Sequence, residues 1–240
     1  MSDARLMRTK LLLGEAGIRR LANSKVMIVG LGAVGGYALE AIARSGVGHI
    51  VLVDFDKFEE SNINRQILAL SSTIGKLKTE VAAARVKEIN PNCKVEIYNL
   101  FVDENTIQEL LLSGPDFVVD AIDSLNSKCC LIEALWRCKI PFISSMGAAL
   151  KTDASAVKVC SLNKTESCGL AKQLRQRLRR KEVNLSEVAC VFSSEKTQIQ
   201  AYGDAEKEGE RRPMGALPTI TGIFGLMCAN YVIRHLSKAD

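Results

Sequence analysis

The chain has 240 residues, enough for one α/β domain or for one with a modest appendage. Its hydrophobic share of 47% can fill a sizeable core, while an aromatic share of only 5% argues against reading unpaired bases chiefly by stacking. A formal charge of +5 leaves no strong protein-wide field, so any attraction for nucleic acid must come from a local basic patch.

In chain order, Val26–Val29 is a short apolar run between Lys25 and Gly30, as expected of a strand buried on both faces. A glycine-rich turn, Gly30-Leu31-Gly32-Ala33-Val34-Gly35, leads into a predicted helix over Tyr37–Ser45 that Gly46 would end. Ile50–Val53 is the next buried strand and stops at Asp54. Lys78–Ile89 reads as a helix halted by Asn90-Pro91. A third strand is predicted at Val95–Tyr98, a helix around Glu104–Leu112, and a fourth strand at Phe117–Val119 that delivers Asp120 and Asp123 to its C-terminal end. Ser127–Lys139 reads as a helix, and Pro141–Ser145 begins a fifth strand. Repeated β-α units imply a parallel sheet with right-handed crossovers, whose ligands sit outside the carboxyl ends of the strands. Beyond Gly147, Ala156–Cys160 and Ala189–Phe192 look like strands on either side of a basic helix at Leu170–Lys181. Gln198–Arg212 reads as a mobile polar loop, and Leu217–Ile233 as an apolar helix. The expected division is an α/β core over 1–150, with 151–240 as a C-terminal part of the same domain.

Each glycine of the turn has a physical reason: a tight bend, close backbone approach to phosphate, and close helix–strand packing. The N–H groups at the start of the following helix attract an anion. Asp54 falls about where an acid that binds a ribose hydroxyl is expected, roughly 20 residues on. The turn alone leaves a nicotinamide dinucleotide and ATP both open. Asn62-Ile63-Asn64-Arg65-Gln66 then supplies an arginine among amides that a dinucleotide binder does not need. Arg65 can grip phosphate oxygens in bidentate fashion, Lys78 adds a point charge at a helix start, and Asp123 can hold magnesium shared with phosphates. Taken singly, a surface arginine, a helix-face lysine and a turn aspartate are the commoner reading. In this order behind a nucleotide turn they favour chemistry on the phosphates of ATP.

The residues Gly30-x-Gly32-x-x-Gly35, Asp54-x-Asp56, Asn62-x-x-Arg65-Gln66, Lys78 and Asp123 resemble, in the same order, the adenylyltransferase superfamily of ubiquitin-activating enzymes and of the molybdopterin and thiamine sulfur-carrier activators. The resemblance implies a Rossmann-like, mostly parallel sheet flanked by helices, with a C-terminal extension of extra strands, a basic helix and an apolar helix. It implies that Asp54 binds ribose, that Arg65 and Lys78 bind phosphates, that Asp123 positions magnesium, and that Asp56, Asn62 and Gln66 complete the nucleotide site. Arg5-x-x-Arg8 resembles a motif whose second arginine reaches the partner subunit's ATP, which makes Arg8 a catalytic candidate in a homodimer. Within the superfamily the chain is most similar to the tRNA threonylcarbamoyladenosine dehydratase branch. The stretches that carry this are Ala43–Gly48, Asn64-Arg65-Gln66-Ile67-x-Ala69-Leu70, Ile89-Asn90-Pro91, Val119–Asp123 and Val191-Phe192-Ser193-x-Glu195. One departure is Cys168-Gly169, where that branch carries Asp-Pro before the basic helix. The implied reaction is activation of a carboxylate by ATP and magnesium, followed by ring closure. A monovalent cation and a cysteine-desulfurase or sulfur-acceptor system are further candidates for cofactor and partner.

The basic helix carries Lys172, Arg175, Arg177, Arg179, Arg180 and Lys181 with no acid between Ala171 and Lys181, and Leu170, Leu174 and Leu178 at core-facing spacing. One face would pack while the rest contacts the phosphate backbone of tRNA, against the plainer reading of a solvated charged face. Leu217–Ile233 contains no charge but is short and interrupted by Pro218, Gly222 and Gly225, so a buried or subunit-interface helix is preferred over a membrane span. Eight cysteines include no C-x2-C pair, which removes the zinc-ribbon reading, and Cys190 reads as a buried thiol. His49 and His235 suggest no ligand cluster. With no apolar run after Ser2-Asp3-Ala4-Arg5, reduced thiols in a cytoplasmic protein are expected. The competing classes are activation of a ubiquitin-like sulfur carrier, an NAD-dependent oxidoreductase and a non-catalytic nucleotide scaffold.

Overall fold

The computed structural model describes residues 4–196 and 214–238, so the loop expected at Gln198–Arg212 lies outside the described residues. Seven strands form one sheet. Strand β1 (Lys25–Val29) lies third from one edge, with β2 (His49–Val53) and then β3 (Lys94–Tyr98) on one side. On the other side lie β4 (Phe117–Asp120) and β5 (Phe142–Ser145). The edge strand β6 (Val157–Ser161) reaches the sheet through β7 (Ala189–Ser193), giving the order β3-β2-β1-β4-β5-β7-β6. All neighbours are parallel except β6, which runs antiparallel to β7.

The strands are apolar because both faces are covered. Val26 and Ile28 of β1 enter one core and Met27 and Val29 the other, the alternation that a strand's period of two dictates. The first core is roofed by α1 (Met7–Asn23), α2 (Gly35–Arg44), α3 (Lys78–Ile89) and the last helix. The second is roofed by α4 (Ile107–Leu112), α5 (Leu125–Arg137) and α6 (Gly169–Arg180). The last helix, α7 (Pro218–Ser237), buries Ile220, Phe224, Cys228 and Val232, a stripe at four-residue spacing.

The expected architecture is the one observed: a mostly parallel α/β sheet with extra C-terminal strands, a basic helix and an apolar helix. Three details differ. Helix α1 was not expected, because Gly14 and Gly17 interrupt its pattern. It kinks at Gly14 and buries only Gly17 and Leu21. Helix α4 starts at Ile107 rather than near Glu104, because the Asp103 carboxylate accepts the N–H groups of Asn105 and Thr106 and holds a turn there. Helix α5 begins and ends two residues earlier than its apolar run indicates. The apolar C-terminal segment is a helix packed within the chain, and no helix among the described residues is long and apolar enough to cross a membrane.

Candidate active site

Strand order reverses between β1 and β4, which opens a crevice at their C-terminal ends. The chain enters it at Gly30, whose φ of +90° lies in the left-handed region. A side chain at Gly30 would press on the Ala121 carbonyl at 2.8 Å, and one at Gly35 would collide with the Gly30 carbonyl, so the turn is clamped between β1 and the loop after β4. At Gly32 a side chain would meet only the Gln66 carboxamide, at an ordinary contact distance of 3.8 Å. Helix α2 follows, and a helix N-terminus is a favourable place for an anion.

Asp54 ends β2 and is buried. One carboxylate oxygen accepts the Leu31 N–H at 2.7 Å and the other the Asp56 N–H at 2.9 Å, so this acid fastens the glycine turn to the tip of β2. Lys78 opens α3. It is 6% exposed, its ammonium lies 2.9 Å from the Asp56 carboxylate, and its backbone N–H donates to the Asp56 carbonyl at 3.0 Å. The lysine charge is thereby aimed from a rigid helix start, beside an acid that is itself half-exposed.

Between these lies a 3-10 turn over Glu60–Asn62. Asn62 is buried and turned inward. Its side-chain oxygen accepts the Glu59 N–H, and its backbone carbonyl accepts the N–H groups of Arg65 and Gln66. This asparagine shapes the segment that presents the other two. Arg65 donates to the Ser61 carbonyl at 2.9 Å and to the Asn64 side-chain oxygen at 2.8 Å, which steadies a guanidinium at the surface. Gln66 is 7% exposed, and its carboxamide oxygen has no hydrogen-bond partner. An unmet buried polar atom costs about 1–3 kcal/mol, and the same carboxamide places its nitrogen 3.8 Å from where a side chain at Gly32 would begin. The clamped glycine turn and this orphaned oxygen fit a bound nucleotide.

Asp123 is exposed on the loop after β4. No group of three or more metal-ligating side chains exists among the described residues. A lone carboxylate suits a magnesium ion that arrives on nucleotide phosphates and keeps several waters, not a protein-caged metal.

Sequence reasoning missed what lies beneath this loop. Asp120, Lys128 and Ser144 are fully buried. The Lys128 ammonium is 2.7 Å from the Asp120 carboxylate and 3.1 Å from the Ser144 hydroxyl, which donates to the same carboxylate at 2.6 Å. The second Asp120 oxygen accepts the Ile122 N–H at 3.1 Å, so the network holds the start of the Asp123 loop. The available signal was a lone lysine within the apolar pattern of α5, eight residues after an aspartate closing a buried strand.

The six cations predicted for this helix, five on α6 and Lys181 as its C-cap, divide. Ala171, Leu174 and Leu178 face the core, with Leu170 only half-buried. Arg175 is drawn under the helix to Thr165, and Lys181 pairs with Glu133. Lys172, Arg177, Arg179 and Arg180 are exposed. The helix caps itself with a thiol: Cys168 Sγ accepts the Ala171 N–H at 3.4 Å, taking the place a carboxylate would fill. Cys190 is buried opposite Cys160, and burial pushes its thiol pKa well above the usual range. His49 starts β2 and His235 packs edge-on against Phe117, so neither lies in the crevice.

Arg8 is not brought to this crevice by its own chain. Two positions earlier Leu6 packs against Gly46, and Arg5 bonds the Ile89 carbonyl, both at the C-terminal ends of helices and so at the end of the strands opposite the crevice.

The ThiF family model matches residues 4–240. The tRNA threonylcarbamoyladenosine dehydratase of Bacillus subtilis (strain 168) is 36% identical over 240 residues, which cover 96% of this chain and 94% of the relative. A crystal structure of E. coli tRNA N6-threonylcarbamoyladenosine dehydratase in complex with ATP superposes with a TM-score of 0.88 at 34% identity, covering 98% of this chain and 96% of that one. An adenylyltransferase and sulfurtransferase of Drosophila willistoni is 35% identical over 140 residues, only 58% of this chain and 30% of the relative.

Proposed function

The chain belongs to the ThiF family, and from that premise we infer that it is an ATP-dependent tRNA threonylcarbamoyladenosine dehydratase. The free carboxylate of the threonylcarbamoyl group attacks the α-phosphorus of ATP, pyrophosphate leaves, and an adenylate forms. The carbamoyl group then closes on the activated carbonyl and gives up a proton, and AMP departs with one of the carboxylate oxygens. The net change is loss of one water from the modified nucleoside, and ATP supplies the leaving group.

The observation that carries this reading is the convergence, at the one switch point of the sheet, of a clamped glycine turn, the orphaned Gln66 oxygen and the Arg65 and Lys78 charges. The backbone from Gly30 through Gly35 would cradle the phosphates. Asp54 would use its remaining lone pairs on the ribose hydroxyls while bracing the turn. Arg65 and Lys78 would neutralise charge that develops on the phosphates, with Asp56 holding Lys78 in place. Asn62 would act by shaping the Arg65 turn, and Gln66 would bond the nucleotide directly. Asp123 would bind magnesium, which bridges phosphate oxygens and neutralises charge on them. This is positioning and electrostatic stabilisation, and it needs no nucleophilic cysteine.

The tRNA would be held by Lys172, Arg177, Arg179 and Arg180, because Arg175 and Lys181 are committed within the chain. The active unit would be a homodimer in which Arg8 serves the opposite subunit. The eight reduced cysteines support a cytoplasmic setting. The chemistry as written requires neither a monovalent cation nor a sulfur-transfer partner. Activation of a sulfur-carrier protein fits less well, because the relative with that chemistry matches little more than half of the chain.

Incubation with ATP, magnesium and threonylcarbamoyl-modified tRNA tests the reading. Mass spectrometry of the digested RNA should show the nucleoside lighter by one water. An unchanged nucleoside, with a carrier protein adenylylated instead, would overturn it.

A further inference from the structure

The loop after β5 carries a buried charge that nucleotide activation leaves unused. Lys151 is 3% exposed and makes no direct ion pair among the described residues. Its ammonium donates instead to two main-chain carbonyls, that of Ser167 at 3.0 Å and that of Glu195. Ser167 precedes the Cys168 cap of α6, and Glu195 follows the end of β7. Glu195 returns the link. Its carboxylate accepts the N–H groups of Thr152 at 2.8 Å and Asp153 at 3.0 Å, and the Thr152 hydroxyl at 3.0 Å. Accepting the Asp153 and Thr152 N–H groups holds the Glu195 carboxyl below the ordinary range, and the nearby Lys151 charge adds to this. One clasp therefore joins three segments that lie far apart in the chain.

The clasp holds strained backbone in a telling place. Leu150, next to Lys151, has a φ of +59°, and Ser167, which accepts from it, a φ of +52°, although neither is glycine. Such residues persist only where their surroundings over-determine them, and they gather at functional sites. Here the buried ammonium and a bond from the Leu150 N–H to the Gly215 carbonyl supply that determination. Because β4, β5 and β7 run parallel, the clasp lies at the same end of the sheet as Asp123. A side chain at Gly147 would meet Cys168 Sγ at 3.6 Å and Leu170 at 3.9 Å, so the loop after β5 lies directly against the start of α6.

We propose that Lys151, braced by Glu195, is a positioning residue that holds the RNA-binding helix α6 in register with the crevice. The proposal rests on the dehydratase reading and adds what couples RNA binding to the chemistry. Lys151 is buried away from both substrates and acts through the segments it joins. RNA gripped by the exposed cations of α6 presents its carboxylate correctly only if α6 keeps its place beside the loop after β5. A displacement of about 1 Å at a reacting group can cost about 10²-fold in rate. The cations themselves stay on α6 when the clasp is cut, so RNA affinity is spared.

Lys151→Met and Glu195→Ala, made singly and together, test this. The readouts are the melting temperature, the Kd of modified tRNA, the KM for ATP, and kcat at saturating RNA. Each folded single variant should lose roughly 10- to 100-fold in kcat, with the Kd for RNA and the KM for ATP within about twofold of wild type. The double variant should be no slower than the slower single one, because the two residues act as a unit. Glu195 is only half-buried, so its variant keeps the test open if Lys151→Met does not fold. A lowered melting temperature with wild-type kcat would overturn the proposal and leave the clasp a purely structural tie. So would RNA affinity that falls as far as the rate, or losses that multiply in the double variant. Wild-type protein that dehydrates no nucleoside would instead remove the dehydratase reading, whereas variants as fast as an active wild type remove only the positioning role.

Discussion

Lys78 and Lys128 are both buried lysines paired with an aspartate, and their surroundings give them opposite jobs. Lys78 faces a half-exposed Asp56 at the mouth of the crevice, whereas Lys128 and Asp120 are wholly enclosed. Lys78→Ala therefore leaves a solvated acid behind and should change stability little, as should Arg65→Ala at the surface. Either should cut turnover by about 10²–10³, the usual loss when a preorganised charge contact is removed. Steady-state kinetics beside a thermal melt checks this, and wild-type turnover in folded Arg65→Ala protein would contradict it. Asp123→Asn should show a defect that eases as magnesium rises. Lys128→Met strands a buried carboxylate and should destabilise by about 3–5 kcal/mol in urea titrations. The cysteines make a further test. Burial pushes the Cys93 thiol up to about 11 and the Cys228 thiol up to about 12, while Cys138 is exposed. Native alkylation should label Cys138 first and leave activity intact; early inactivation tied to Cys190 labelling would mean that a thiol takes part.

At the scale of elements, α6 shows what a run of charge can and cannot reveal. Its count of cations was legible in the sequence, but their division was not, because Arg175 reaches Thr165 and Lys181 reaches Glu133 through contacts distant in sequence. Replacing Arg177, Arg179 and Arg180 by Gln should weaken tRNA binding and lower the salt slope by about 0.7–0.9 per lost contact, with ATP affinity unchanged. Arg175→Gln alone should instead lower the melting temperature. If the triple variant keeps both affinity and slope, the tRNA path lies elsewhere. The buried strands and the glycine turn were legible because apolar runs ending in Gly or Asp have few alternative explanations. Helix α1 was hidden because its two glycines and exposed apolar residues break the amphipathic period. The role of Asn62 was only half legible. Its place in the motif pointed to the nucleotide, whereas its side chain caps its own turn.

For the whole molecule, the site is incomplete within one chain if Arg8 takes part, because the segment before Arg8 packs at the end of the strands opposite the glycine turn. The apolar length of α7 packs mainly against α2 and the strands, so surface for a partner falls instead to Met7, Leu11 and Leu12, all exposed on α1. A two-fold dimer would bury that ridge and carry Arg8 across. Mixing inactive Arg8→Ala protein with inactive Lys78→Ala protein should then restore part of the activity, since one hybrid site holds both native groups. Subunits that demonstrably exchange without any return of activity would contradict action across the interface.

The central claim is that ATP activates the threonylcarbamoyl carboxylate as an adenylate, and the fate of one oxygen tests it most directly. Modified tRNA whose carboxylate carries heavy oxygen is turned over once with ATP, and the released nucleotide is weighed by mass spectrometry. AMP should gain one heavy oxygen for each nucleoside that loses water. ADP together with heavy phosphate, or AMP without label, would contradict it.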